Sequence, residues 1–153
     1  VSTITLDDVI AEQQRLAALI EALKANAAST KILIVAEAAI ELRPGELYAG
    51  LLLGDDGNPS HHLVLLPDRA EEVTWDAAVE FARKAGGELP TRREQSLLFA
   101  NLKDQFEAKW YWSGEQYEGN GSCAWHQYFY DGYQYDDRKS AEGRAVAVRR
   151  LPA

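Results

Sequence analysis

The sequence predicts a mixed α+β domain with a long helix ahead of it. Apolar residues recur at helical spacing through residues 5–28, with no glycine or proline to interrupt them. Two helix-start signals follow, at Thr74 and Thr91. From Trp110 onward the chain holds six of its seven tyrosines and three of its four tryptophans, and the stretch Ala124 to Lys139 spells a β-hairpin. At 153 residues, 46% hydrophobic and 26% charged, the chain is long enough for one domain with its own core and one appended element. We divide it into an oligomerisation helix over residues 1–30 and a domain over residues 31–153.

The first helix is capped by Thr5 or Asp7. Leu6, Gln13 and Ile20 form one seam position and Val9, Leu16 and Leu23 the other, in the 3,4 spacing of a coiled coil. Ile10, Ala17 and Leu19 widen the stripe. A helix lying on its own domain would also use a wide stripe. Its position ahead of the domain and the polar seam residue Gln13, which can fix register, favour self-association into a dimer or trimer. Ala25 to Thr30 reads as a small-residue connector. Short strands are expected over Lys31–Val35 and Ile40–Leu42, the second ending at the Arg43-Pro44-Gly45 turn. Leu47–Leu53 and His62–Leu66 flank a loop of Gly, Asp, Asn and Pro and form a hairpin. Thr74 caps a helix with Val73, Ala77, Ala78 and Phe81 on its buried side, and Gly86-Gly87 ends it. Thr91 and Glu94 make a capping box for a helix that runs to about Asp104 and buries Leu97, Leu98 and Leu102. Arg144 to Leu151 is the last strand.

The aromatic hairpin is the most informative element. A two-residue Asp131-Gly132 turn of type I′ would set Tyr130 opposite Tyr133, Tyr128 opposite Tyr135 and His126 opposite Asp137. All six then share one face, while Trp125, Phe129, Gln127, Gln134, Asp136 and Arg138 take the other. Tyrosines on a stiff hairpin offer large amphipathic contact area at little entropic cost, the chemistry of an antibody paratope. Glu115, Tyr117, Glu118, Asn120 and Ser122 in the preceding loop would form a polar rim. The plainer reading is that cross-strand aromatic pairs only stabilise the hairpin, by about 0.2–1 kcal/mol each. At least two of Trp110, Trp112 and Trp125 are expected in the core.

Charge and motif content narrow the function. A net charge of -8 opposes a nucleic-acid backbone, and the arginines near the end of the chain are interspersed with Asp136, Asp137 and Glu142. The polar side of the first helix is acidic, which anionic lipid would repel, and no run of about eighteen apolar residues suits a membrane span. Cys123 is the single cysteine, so no internal disulfide forms and a reducing compartment fits. Val1 to Asp8 lacks a signal-peptide pattern, and synthesis in the cytosol is expected. Neighbouring His61 and His62 point to opposite strand faces and do not readily share a metal. Asp55-Asp56-Gly57-Asn58 reads as a turn, not a calcium loop. Cys123 and His126 lie at odd spacing, so a thiolate pair is not expected, and Glu115 and Glu118 have no more than loop spacing in common. We expect no enzyme activity, no metal and no cofactor.

Leu89-Pro90-Thr91-Arg92-Arg93-Glu94, Trp110-Tyr111-Trp112-Ser113, Ala124-Trp125-His126-Gln127-Tyr128-Phe129 with Asp131-Gly132, and Ala145-Val146-Ala147-Val148-Arg149 together resemble the DUF1566 (Lcl) domain family of bacterial and prophage proteins. The likeness covers residues 45 to 152. It implies a C-type-lectin-like fold: two helices and a twisted antiparallel sheet whose N- and C-terminal strands pair. The fold hosts sugar binding, protein binding and an oxidase alike, so the site must decide. The Glu-Pro-Asn and Trp-Asn-Asp motifs of calcium-dependent lectins are absent, as is the cysteine pair of formylglycine-generating enzymes. The run from Tyr117 to Asp137 has the composition that relatives diversified by retroelements vary. The resemblance implies a phage- or prophage-associated setting, virion association included, and the hairpin itself leads us to expect a binding protein that recognises a protein or glycan surface through His126, Tyr128, Tyr130, Tyr133, Tyr135 and Asp137. The alternative is an oligomeric structural or regulatory protein of the host cytosol that uses the same surface for self or partner packing.

Overall fold

A computed structural model describes residues 5–29 and 33–153. The chain divides into two units, Val1–Ile34 and Val35–Ala153. The described element of the first is α1 (Leu6–Ser29). Thr5 is its cap: the Thr5 Oγ1 accepts from the Asp8 N–H at 3.2 Å and the Asp8 carboxylate accepts from the Thr5 N–H at 2.9 Å. Leu6, Val9, Gln13, Leu16, Ile20 and Leu23 are all exposed on this helix, as are Ile10 and Leu19.

The second unit is mixed α+β. Its elements are β1 (Leu47–Leu53), β2 (Pro59–Val73), α2 (Trp75–Lys84), α3 (Arg92–Leu102) with a 3-10 turn over Lys103–Gln105, β3 (Trp110–Gln116), β4 (Cys123–Tyr128), β5 (Gln134–Arg138) and β6 (Gly143–Pro152). The six strands form one sheet in the order β1-β2-β6-β3-β4-β5. Neighbours run antiparallel except β3 and β6, which run parallel and meet at Tyr111 and Arg144. The expectation of an antiparallel sheet is corrected at that junction.

Ile40–Leu42 is not a strand, and neither is Leu33–Val35; Lys31 and Ile32 lie outside the described residues. Strand propensity is a preference for packing on a pleated partner, and here Leu33, Ile34, Val35 and Leu42 find none and stay exposed. Within the second unit, Glu41 is held through its carbonyl, which accepts from Arg149 at 2.7 Å.

β6 lies inside the sheet and is buried on both faces. Val146 and Val148 enter one core with Leu63, Leu65, Leu98, Tyr111 and Phe129, on the α3 side. Ala145 and Ala147 enter a second with Leu66, Ala78, Ala82, Leu89 and Trp112, on the α2 side. The alternation of Val and Ala is therefore a volume code, because alanines let α2 approach the sheet closely. Thr74 caps α2, and Gly86, at φ 85°, ends it. The buried residues of α2 are Ala78 and Ala82, whereas Ala77, expected inside, is exposed. The Thr91–Glu94 capping box is formed, Leu98 is buried, and Leu97 and Leu102 pack beside it half-buried.

Candidate functional site

β4 and β5 form the aromatic hairpin in a register offset from the expected one. His126 pairs with Tyr135, Gln127 with Gln134 and Ala124 with Asp137, so His126 does not face Asp137. The Tyr128 N–H donates to the Tyr133 carbonyl at 2.9 Å and closes a four-residue loop, Phe129–Gly132. Gly132 takes φ 85°, but Asp131 does not have the positive φ that a type I′ turn needs. Phe129 is the reason. It leaves the ladder, donates its N–H to the Lys109 carbonyl, and buries its ring against Phe106 at 3.8 Å and Tyr111 at 5.1 Å between centroids. Burying such a ring stabilises by about 1.5–3 kcal/mol. The offset is an even number of residues, so the faces are preserved.

On the face so formed, Tyr128 is 37%, Tyr133 62% and Tyr135 52% exposed, while Tyr130, expected opposite Tyr133, falls in the loop and is 69% exposed there. Asp137 is exposed beside them. His126 is not displayed; it is buried and forms the floor, with Trp110 at 4.6 Å and Tyr128 at 5.6 Å between ring centroids. Burial lowers its pKa below the ordinary 6.5 against the opposite pull of Asp137 and Asp136, so the ring is neutral at neutral pH. Its Nδ1 is buried with no partner among the described residues. Trp112 is wholly buried, whereas Trp110, edge-on against it, and Trp125 are half-buried, so the core holds one of the three tryptophans where at least two were expected.

The expected rim does not join this face. Tyr117 packs edge-on against Trp125 at 5.2 Å, and the Trp125 Nε1–H donates to Glu118 at 3.2 Å, on the opposite side of the hairpin. Asn120 accepts from the Ser122 N–H and shapes the loop between β3 and β4. The Glu115 carboxylate accepts the Arg92 N–H at 2.5 Å and so caps α3. Odd and even positions of a strand point apart, and this polar set follows Trp125, not His126.

That second side borders a cleft of about 580 Å³, whose lining includes His61, Arg92, Arg93, Glu94, Glu115 and Gln134. Its organising residue, Glu94, was legible only as a helix cap. Glu94 is fully buried. One oxygen accepts from Arg150 Nε at 2.5 Å and His61 Nε2 at 2.8 Å; the other accepts from Arg150 Nη2 at 2.8 Å and the Thr91 N–H at 2.7 Å. Burial alone would raise its pKa, but these four donors overturn that and hold it below the ordinary value. With both oxygens doubly engaged, Glu94 ties α3 to β2 and β6. His61 Nδ1 in turn meets the Ser60 hydroxyl at 3.0 Å, while His62 turns the other way to Tyr48 at 2.9 Å. Arg92 stacks 3.6 Å over Trp125 and bonds Gln134, which also donates to Gln127 at 2.8 Å, fastening the hairpin to α3. The positive end of α3 is thus already filled by Glu94 and Glu115. The three arginines of the cleft are balanced by Asp55, Glu94 and Glu115.

Among the described residues no three His, Cys, Asp or Glu side chains group so as to hold a metal ion, and no helix is long and apolar enough to cross a membrane. No protein-family model matches the chain, and no curated protein matches it.

Proposed function

We propose that the chain is a non-enzymatic recognition protein: a C-type-lectin-like domain of the DUF1566 (Lcl) kind, carried by a coiled-coil helix, that presents the tyrosine face to a protein or glycan surface in a phage or prophage setting. The observation that carries this reading is a set of exposed phenols, with Tyr128, Tyr133 and Tyr135 in ring contact above a buried His126 that packs on Trp112 and the half-buried Trp110, and Tyr130 exposed in the adjoining loop. Rings fixed from beneath lose little entropy when a partner covers them. The exposed seam of α1 supports self-association, which would multiply weak contacts by raising effective concentration.

Replacing Tyr128, Tyr130, Tyr133 and Tyr135 together by Ser tests the reading. Surface substitutions shift stability by about 0.5 kcal/mol or less each, so the melting temperature should change little, while binding on arrays of glycans and bacterial surface proteins should vanish. Retained binding by the quadruple variant would sink the reading.

A further inference from the structure

Resting on that reading, we propose that the occupant of the tyrosine face is an extended, Lys- or Arg-rich polypeptide segment lying along β5. Four observations converge on it. Asp131, Asp136 and Asp137 are exposed, and none of them forms an ion pair among the described residues. Two nearby cations are committed elsewhere, Lys103 to the Tyr130 carbonyl at 3.1 Å and Lys139 to Gln116 at 2.7 Å, while Arg138 lies with Asp136 on the strand face away from Tyr135 and Asp137. The rings of Tyr128 and Tyr135 stand perpendicular, 6.3 Å apart, with Tyr133 6.2 Å from Tyr135, and Tyr135 and Asp137 share one strand face, so aromatic rings and a carboxylate lie on the same side of β5. The π faces of such rings attract ammonium and guanidinium groups. Lastly, β5 is the outermost strand of the sheet, and one row of its backbone donors and acceptors faces no other strand.

The charge on the floor agrees. The two charges that act on His126 are both carboxylates, Asp137 and Asp136, and its neutral ring adds no repulsion toward a cation. A segment added to β5 would bring alternate side chains past Tyr135 and Asp137 on one face and past Asp136 on the other. An acidic glycan would meet carboxylates instead, and the net charge of -8 would repel it from a distance.

The test uses the full chain, isotope-labelled, titrated with three probes: an alternating Lys-Thr decapeptide, its Glu-Thr counterpart and a neutral dextran oligosaccharide. The Lys-Thr peptide should shift amide resonances of β5 and weaken with added salt, whereas the other two should not bind. Replacing Asp131, Asp136 and Asp137 by Asn should weaken that binding about tenfold or more. Removing three charges elsewhere, with Asp7→Asn, Glu12→Gln and Glu37→Gln, should weaken it less than about twofold. Equal losses from the two triple variants, or absence of peptide binding at β5, would overturn the proposal. Dextran binding that depends on the four tyrosines would overturn it too while leaving the recognition reading intact; that reading fails separately if the Tyr→Ser variant keeps all array binding.

Discussion

Glu94 shows how one side chain can fix the relation of three elements. Glu94→Ala would strand the Arg150 guanidinium and His61 and also undo the cap of α3. Arg150 is partly open to water, which softens the penalty. We expect a loss of about 3 kcal/mol, below the upper range for breaking a fully buried pair, read as a lower urea midpoint with an unchanged slope. Glu46 gives the molecule an acid limit. The hydrogen bond from Arg149 holds its carboxyl at about 2, against an ordinary value of 4.5. Its folded pKa lies below the unfolded one, so the pair stabilises fully above pH 4.5 and loses that contribution as the pH falls from there through 2. The melting temperature should drop across that window in the native chain and more shallowly in Glu46→Gln. His126 acts with the same sign nearer neutrality, because acidification below its ordinary 6.5 favours the unfolded chain, where the ring charges freely.

The hairpin loop illustrates control by a distant residue on an element. Gly132 sits at φ 85°, and an added Cβ would lie 2.9 Å from the Phe99 ring. Gly132→Ala should therefore destabilise by about 1–2 kcal/mol, and calorimetry would check it. What the sequence made legible were features fixed by neighbours in the chain: the caps at Thr5, Thr74 and Thr91, the glycine stop after α2, and the existence of both hairpins. Features fixed across the fold were not. The register of β4 on β5 depends on Phe106 and Tyr111 receiving Phe129, and nothing within residues 124–139 announces them. Likewise the partners of Glu94 and Glu115 come from β6, β2 and the start of α3, brought together by the sheet. The shared face of Tyr128, Tyr133 and Tyr135 was readable because alternation along a strand survives an even slip, whereas Tyr130 falls in the loop that Phe129 opens; the polar rim was lost because the loop before β4 returns to the other side.

At the scale of the whole molecule, the two units make separable predictions. The domain holds its own two cores, whereas the apolar seam of α1 is exposed. Removing residues 1–34 should leave a folded monomer with an unchanged circular dichroism signal in the strand region, while the full chain sediments as a dimer or trimer. A full chain that sediments as a monomer would refute the coiled-coil proposal. The placement of β6 carries a further consequence. It is the keystone between β2 and β3, and its pairing with β2 joins residues about eighty positions apart, such as Val148 and Leu65. Contacts of such long sequence separation slow folding. During translation both cores must wait open until Gly143–Pro152 has cleared the ribosome, leaving the aromatic hairpin exposed to chaperones until that late closure.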